Sequence, residues 1–153
     1  MPRIAGVSLV GVIAAAIAMF FIGFLWYGVL FQGPWMESNG LFWGNEAKTQ
    51  LQWLTADGIQ IQEMAVDPML MLAGFALSFV LAFGLGWHMK QRGVTEMGAA
   101  ALFGLWLGLL IGVPLAAYDT VYAPWHSIAG LLVDGSHTVV GFVVACAVLS
   151  LFD

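Results

Sequence analysis

Asp119, Asp134 and His137 stand within or at the ends of apolar runs. An ionisable side chain there is expensive, by about 2.5–3.5 kcal/mol or more at the centre of a membrane helix. Asp134 and His137 are three residues apart, so on a helix they share a face and come within hydrogen-bonding reach. His126 lies just upstream of them, and Tyr118, Tyr122, Ser136 and Thr138 add hydroxyls to the same region. Three kinds of chemistry suit such a group. The leading one is structural: a polar plug in which an Asp–His pair satisfies itself and pins helix register. The second is a proton relay or solute-binding site, because imidazole changes charge near neutrality and can exchange a proton with a neighbouring carboxyl. The third is catalysis on a lipid-soluble substrate.

Metal and haem chemistry find little support in the spacing. His88 falls at the far end of a different apolar run, beside Lys90 and Arg92, almost a bilayer away from His126 and His137. A bis-histidine haem needs two histidines at matched depth on different helices, and only His126 and His137 come close. No C-x-x-C, H-E-x-x-H, G-x-S-x-G or Walker pattern occurs. The eight methionines are scattered, as packing residues are. No metal, no cofactor and no catalytic residue is therefore expected.

The elements that must position these residues follow from composition. Of 153 residues, 61% are apolar and 8% charged, against about 45–50% and about 25% in soluble domains. A mean hydropathy of +0.94 agrees. Such a chain is solvated by lipid. Four Lys and Arg with a net charge of −5 offer no phosphate-binding face, which excludes nucleic acid as a partner. Cys146 is the sole cysteine, so no disulfide forms within the chain.

A span needs about 20 apolar residues. The runs predict an all-α bundle of four transmembrane helices in a single domain over 1–153, with spans at about 4–31, 69–89, 97–121 and 127–152. The last begins between Trp125 and Leu131, since a start after His137 leaves too few residues to cross. Arg3 and the alanines at 14–16 imitate a signal peptide, but the apolar run continues beyond them, which predicts an uncleaved span. The connection 32–68 is long and acidic, with Trp35, Trp43 and Trp53 suited to the headgroup boundary. It is expected to be partly folded, with a short interfacial helix over Asn45–Leu54. Arg3, Lys90 and Arg92 fall on one side and Lys48 on the other, which predicts both termini in the cytoplasm.

The third span carries small residues every four positions: Ala100, Gly104, Gly108, Gly112, Ala116 and Thr120. Helices in lipid associate by close backbone approach, so this GxxxG-type stripe predicts helix packing, either within the bundle or between copies. The second span repeats the pattern at Gly74, Ser78, Ala82 and Gly86, and the fourth at Gly141 and Ala145. Pro114 is expected to kink the third helix and to free a carbonyl near Leu110.

Gly23-Phe24-Leu25-Trp26-Tyr27, then Leu30-Phe31 and Trp35-Met36, form a further string. It resembles the signature of the uncharacterised bacterial membrane-protein family called domain of unknown function seventeen-sixty-one. There a G-x-L-W-Y stretch closes the first helix and a W-M pair follows the L-F. The last span, from Leu131-Leu132-Val133-Asp134 to Leu149, is similar to that family's final helix. The resemblance implies four helices and a bacterial inner (cytoplasmic) membrane, and nothing about activity. Together these readings predict a non-catalytic accessory or scaffold component whose partners are membrane lipids and other membrane subunits or further copies of itself. A solute or proton-coupled transporter using Asp119, Asp134 and His137 is the alternative, and a membrane enzyme the next.

Overall fold

A computed structural model of the protein describes residues 2–65, 67–123 and 126–152. The chain opens with a small hairpin rather than a helix. Strands β1 (Arg3–Ile4) and β2 (Val7–Ser8) pair antiparallel, Arg3 opposite Ser8. The turn needs left-handed backbone at both central residues, Ala5 (φ 51°) and Gly6 (φ 83°), as tight hairpins of this hand do. The first helix, α1 (Leu9–Leu30), therefore begins five residues later than the apolar run alone suggests, with the Ser8 hydroxyl accepting from the Gly11 amide as its cap.

Three further helices are long and apolar enough to cross a membrane: α3 (Pro68–Gln91), α4 (Met97–Tyr122) and α5 (Ile128–Ser150). Asp67 caps α3 by accepting from Met69 N–H at 2.8 Å, and Ser127 caps α5 by accepting from Gly130 N–H at 3.1 Å. Of the expected start region for the last span, Trp125 lies outside the described residues. Between α3 and α4, Gly93 adopts φ +64° and the Val94 amide reaches back to the Met89 carbonyl, the usual closure of a helix by a glycine. The molecule is a four-helix membrane protein whose small sheets are minor features. The outward faces show lipid-facing side chains such as Leu77 (67% exposed) and Leu110 (68%).

The long connection is folded, but not as an interfacial helix over Asn45–Leu54. A short helix, α2 (Gln32–Ser38), is followed by a three-stranded antiparallel sheet of β3 (Phe42–Trp43), β4 (Gln50–Thr55) and β5 (Gly58–Glu63). The run Gly58-Ile59-Gln60-Ile61-Gln62 alternates apolar and polar residues, a period that suits a strand and not a helix. Register is fixed by pairs from Gln50 opposite Glu63 to Thr55 opposite Gly58, and Gln50 Nε2 donates to Glu63 Oε1 at 2.6 Å.

Two of the membrane helices contain π-type turns, in which an amide bonds five residues back. In α1 they run through Phe24–Leu30 and end with Phe31 N–H on the Trp26 carbonyl at 2.8 Å. In α4 they occupy Gly108–Gly112, where Val113 N–H reaches the Gly108 carbonyl. Pro114 directly follows these turns in the interior of α4 and has no N–H to give to the preceding turn. The disturbance expected from Pro114 thus takes the form of a wide turn just before it.

The core centres on α5, which touches every other membrane helix and α2. Ala15, Ala16, Ala82, Ala100, Ala145 and Cys146 are fully buried where the helices meet. Along α4, a Cβ on Gly104 would strike the Phe142 backbone, and one on Gly108 would stand 2.8 Å from Val139 Cα. A Cβ on Gly112 would meet the Thr138 methyl. These glycines bring two backbones of the same chain together. By contrast, α3 and α4 have few contacts with one another and leave a cleft floored by α5.

Candidate functional site

The end of α1, the short α2 and the start of α5 converge on one polar cluster. His126 precedes the α5 cap, and its Nδ1 lies 2.9 Å from the carbonyl oxygen of Ser38, the last residue of α2. A carbonyl only accepts, so Nδ1 carries the proton of this bond. The imidazole's other nitrogen, Nε2, faces Asp134 Oδ2 at 3.6 Å. That is too long for a hydrogen bond, and Nε2 is buried without such a partner among the described residues. With Nδ1 committed, the contact is attractive when the two groups share one proton, held on the ring or on the carboxyl.

Close approach makes this junction possible. A Cβ on Gly130 would collide with the Ser38 side chain and stand 3.0 Å from His126 Nε2. Ser38 is 1% exposed, and its hydroxyl donates to the Trp35 carbonyl at 2.9 Å. From α1, Tyr27 comes to the same cluster. The Tyr27 ring meets Trp35 on one side (centroids 5.3 Å apart) and His137 on the other (4.6 Å). Trp26 Nε1–H donates to Ser136 Oγ at 3.0 Å, and Ser136 donates in turn to the Val133 carbonyl.

The sequence grouping is therefore redrawn. Asp134 and His126 face one another, whereas His137 turns away from Asp134 toward Tyr27 and the bundle interior. The expected Asp134–His137 hydrogen bond is absent among the described residues. Asp119 is exposed near the end of α4. Tyr118 and Tyr122 stack on each other at 5.8 Å and are 59% and 75% exposed, so they lie outside the cluster. The Thr138 hydroxyl is spent on the Asp134 carbonyl at 2.9 Å. Thr120 Oγ1 is buried with no hydrogen-bond partner among the described residues.

His137 is the tenth residue of α5, about 14 Å along it at ~1.5 Å per residue, close to mid-bilayer depth. It lines a cavity of about 310 Å³ to which all four membrane helices contribute, including Met19 of α1, Ser78 of α3 and Leu115 of α4. His88 lies on another cavity of about 210 Å³, farther along the same cleft. Among the described residues, no group of three or more His, Cys, Asp or Glu side chains converges as a metal site would.

The sequence marks Tyr27, Trp26 and Met36 as parts of a recognisable string, and Trp35 also as a headgroup-boundary residue. The structure makes three of them neighbours of the polar residues and buries the fourth, Met36, at 5% exposure. Ser38 was not foreseen, because a backbone carbonyl carries no side-chain signal. The remaining string residues have simpler places. Leu25, Leu30 and Phe31 lie in or just after the wide turns, Phe31 with its ring 5.5 Å from Trp26, and Gly23 lies where a Cβ would stand 3.5 Å from His137 Nε2.

No curated protein and no solved structure matches the chain. A family model described as protein of unknown function (DUF1761) matches residues 10–150. The match runs from the second residue of α1 to the last of α5 and so takes in the whole bundle, the signature string and the polar cluster: the chain belongs to the DUF1761 family of uncharacterised proteins.

Proposed function

We propose that this protein is a non-catalytic accessory component of the bacterial inner membrane, in which the polar cluster ties the first connection to the bundle. The observation that carries this reading is that the cluster's polar groups are engaged across elements of the same chain. His126 holds the Ser38 carbonyl, Trp26 holds Ser136, and Tyr27 packs against both Trp35 and His137. Such ties fix how α2 and the sheet beyond it leave the membrane, which suits a surface offered to other membrane subunits. Both termini face the cytoplasm in this reading, and the sheet lies outside. Purification of the tagged protein from its own membrane in mild detergent tests the role. Stable co-purifying subunits, lost when the sheet is removed, are expected; a lone monomer overturns it.

One observation favours a second reading, proton-coupled transport. His126 Nε2 faces the Asp134 carboxyl at 3.6 Å with no hydrogen bond of its own among the described residues, so a small approach would let a proton pass between an imidazole and a carboxyl, as a relay requires. Asp134→Asn separates the two. An amide keeps the volume but cannot take up and release a proton, so a tie tolerates it and a relay does not. Proton flux lost in vesicles with folding intact would establish the transporter; unchanged flux leaves the tie.

A further inference from the structure

The cavity lined by His137 is not used by the ties described above, and its chemistry is unusual for the middle of a bundle. Met19, Leu115 and their neighbours give it apolar walls, while Ser78, His137 and Thr138 supply its polar atoms. Its volume of about 310 Å³ stands at the lower end of the range of about 300–1,000 Å³ for small-molecule sites. It opens on the cleft between α3 and α4, which barely touch, so it is reached laterally from the lipid.

The polar atoms are unequally matched. The Ser78 hydroxyl donates to the Gly74 carbonyl at 3.1 Å, and the Thr138 hydroxyl donates to the Asp134 carbonyl at 2.9 Å. Each keeps only acceptor lone pairs for anything in the cavity. The His137 ring packs at a tilt against Tyr27, and among the described residues no hydrogen bond engages its ring nitrogens. A neutral imidazole adds one donor and one acceptor. Acceptors thus outnumber donors by three to one, which selects a guest that brings its own O–H. We propose that this cavity binds a lipid-soluble alcohol or phenol, its hydroxyl on His137 and its hydrocarbon body along the α3–α4 cleft. A bare acyl chain leaves the imidazole unpaired in an apolar setting, a cost that the hydroxyl removes.

Gly141 gives a clean way to close the site. It lines the cavity, and a Cβ there would find only Met19 Cε, at 4.0 Å. Gly141→Leu therefore fills space without striking backbone, and it replaces a poor helix former with a good one. The probe is a hexylphenol bearing a photoactivatable diazirine on its alkyl chain, applied to the whole protein in lipid nanodiscs and mapped by peptide mass spectrometry. Labelling is expected at the cavity walls, with unlabelled hexylphenol competing roughly three- to tenfold better than hexylbenzene, as one hydrogen bond allows. Gly141→Leu should abolish that labelling while retaining the parent's helicity. His137→Phe, which keeps a ring, should bring the two competitors to parity. Equal competition by hexylbenzene in the parent protein, meaning that any hydrocarbon fills the space, overturns the proposal. So does undiminished labelling in folded Gly141→Leu, or discrimination that survives His137→Phe.

Discussion

At the scale of single residues, His126 carries two contacts that can be separated. Its Nδ1 holds the Ser38 carbonyl at 2.9 Å, while Nε2 faces Asp134 at 3.6 Å. The side-chain amide of Asn reaches roughly where Nδ1 stands, and that of Gln roughly where Nε2 stands. His126→Asn should therefore keep α2 attached and cost little, whereas His126→Gln should lose about 0.5–1.5 kcal/mol, the net worth of the bond to the carbonyl. Thermal unfolding of both variants in the same detergent measures the difference. Equal losses would show that the Ser38 contact contributes nothing. The identity of the polar residues was legible from sequence because ionisable groups stand out in apolar runs. Their pairing was not. Asp134 and His137 are adjacent on a helix surface, yet tertiary packing brings Tyr27, Ser38 and His126 to them from other parts of the chain.

At the scale of elements, the same glycine-to-alanine change should have opposite signs at two positions. Gly84 in α3 has nothing within 4 Å of a would-be Cβ, so Gly84→Ala should stabilise by up to ~1 kcal/mol through helix propensity alone. At Gly104 the added methyl meets the Phe142 backbone, which cannot rotate away. There the steric cost of about 1–3 kcal/mol exceeds the propensity gain, and Gly104→Ala should destabilise. Gly108→Leu should do so more strongly than Leu109→Ile, because Leu109 is 43% exposed and the swap conserves volume. Melting temperatures in detergent decide both comparisons; matching shifts at Gly84 and Gly104 would mean that α4 is not held against α5. Helix spans were readable because twenty apolar residues in lipid leave the backbone no other means of satisfying its hydrogen bonds. The sheet is hard to read from sequence because its apolar–polar alternation covers only the short run at 58–62. Tyr118 and Tyr122 were misplaced for another reason. The wide turns at Gly108–Gly112 hold an extra residue per turn, which rotates every downstream side chain relative to a regular helix.

At the scale of the molecule, the hairpin turn around Asp57 and the ends of the chain lie at opposite ends of the bundle. Arg3 donates to the Gly6 and Phe152 carbonyls, and Lys90 lies against Gly6, so three segments meet at the end that carries both termini. A cytoplasm-specific reporter fused after Asp153 should be active and one inserted beside Gly58 silent; the inverse pattern would reverse the proposed orientation and leave the four helices intact.

The hub position of α5 has a consequence in time. It follows α1, α2, α3 and α4 in the chain, and all four pack on it. Each earlier span satisfies its own backbone on insertion and can wait in lipid as a separate helix. The Ser38 carbonyl meets His126 and Gly104 meets the Phe142 backbone only once α5 and the residues just before it are present. Assembly is therefore expected to leave α4 and α2 undocked until α5 arrives, since α1 and α3 pack directly on one another whereas α4 barely touches α3. A chain stopped after Tyr122 should insert but remain open to proteolysis, and a separately expressed segment from His126 onward should rescue it by docking in trans. Pulse-labelling with a membrane-side protease would follow that docking, and protection of the truncated chain on its own would mean that assembly begins without α5.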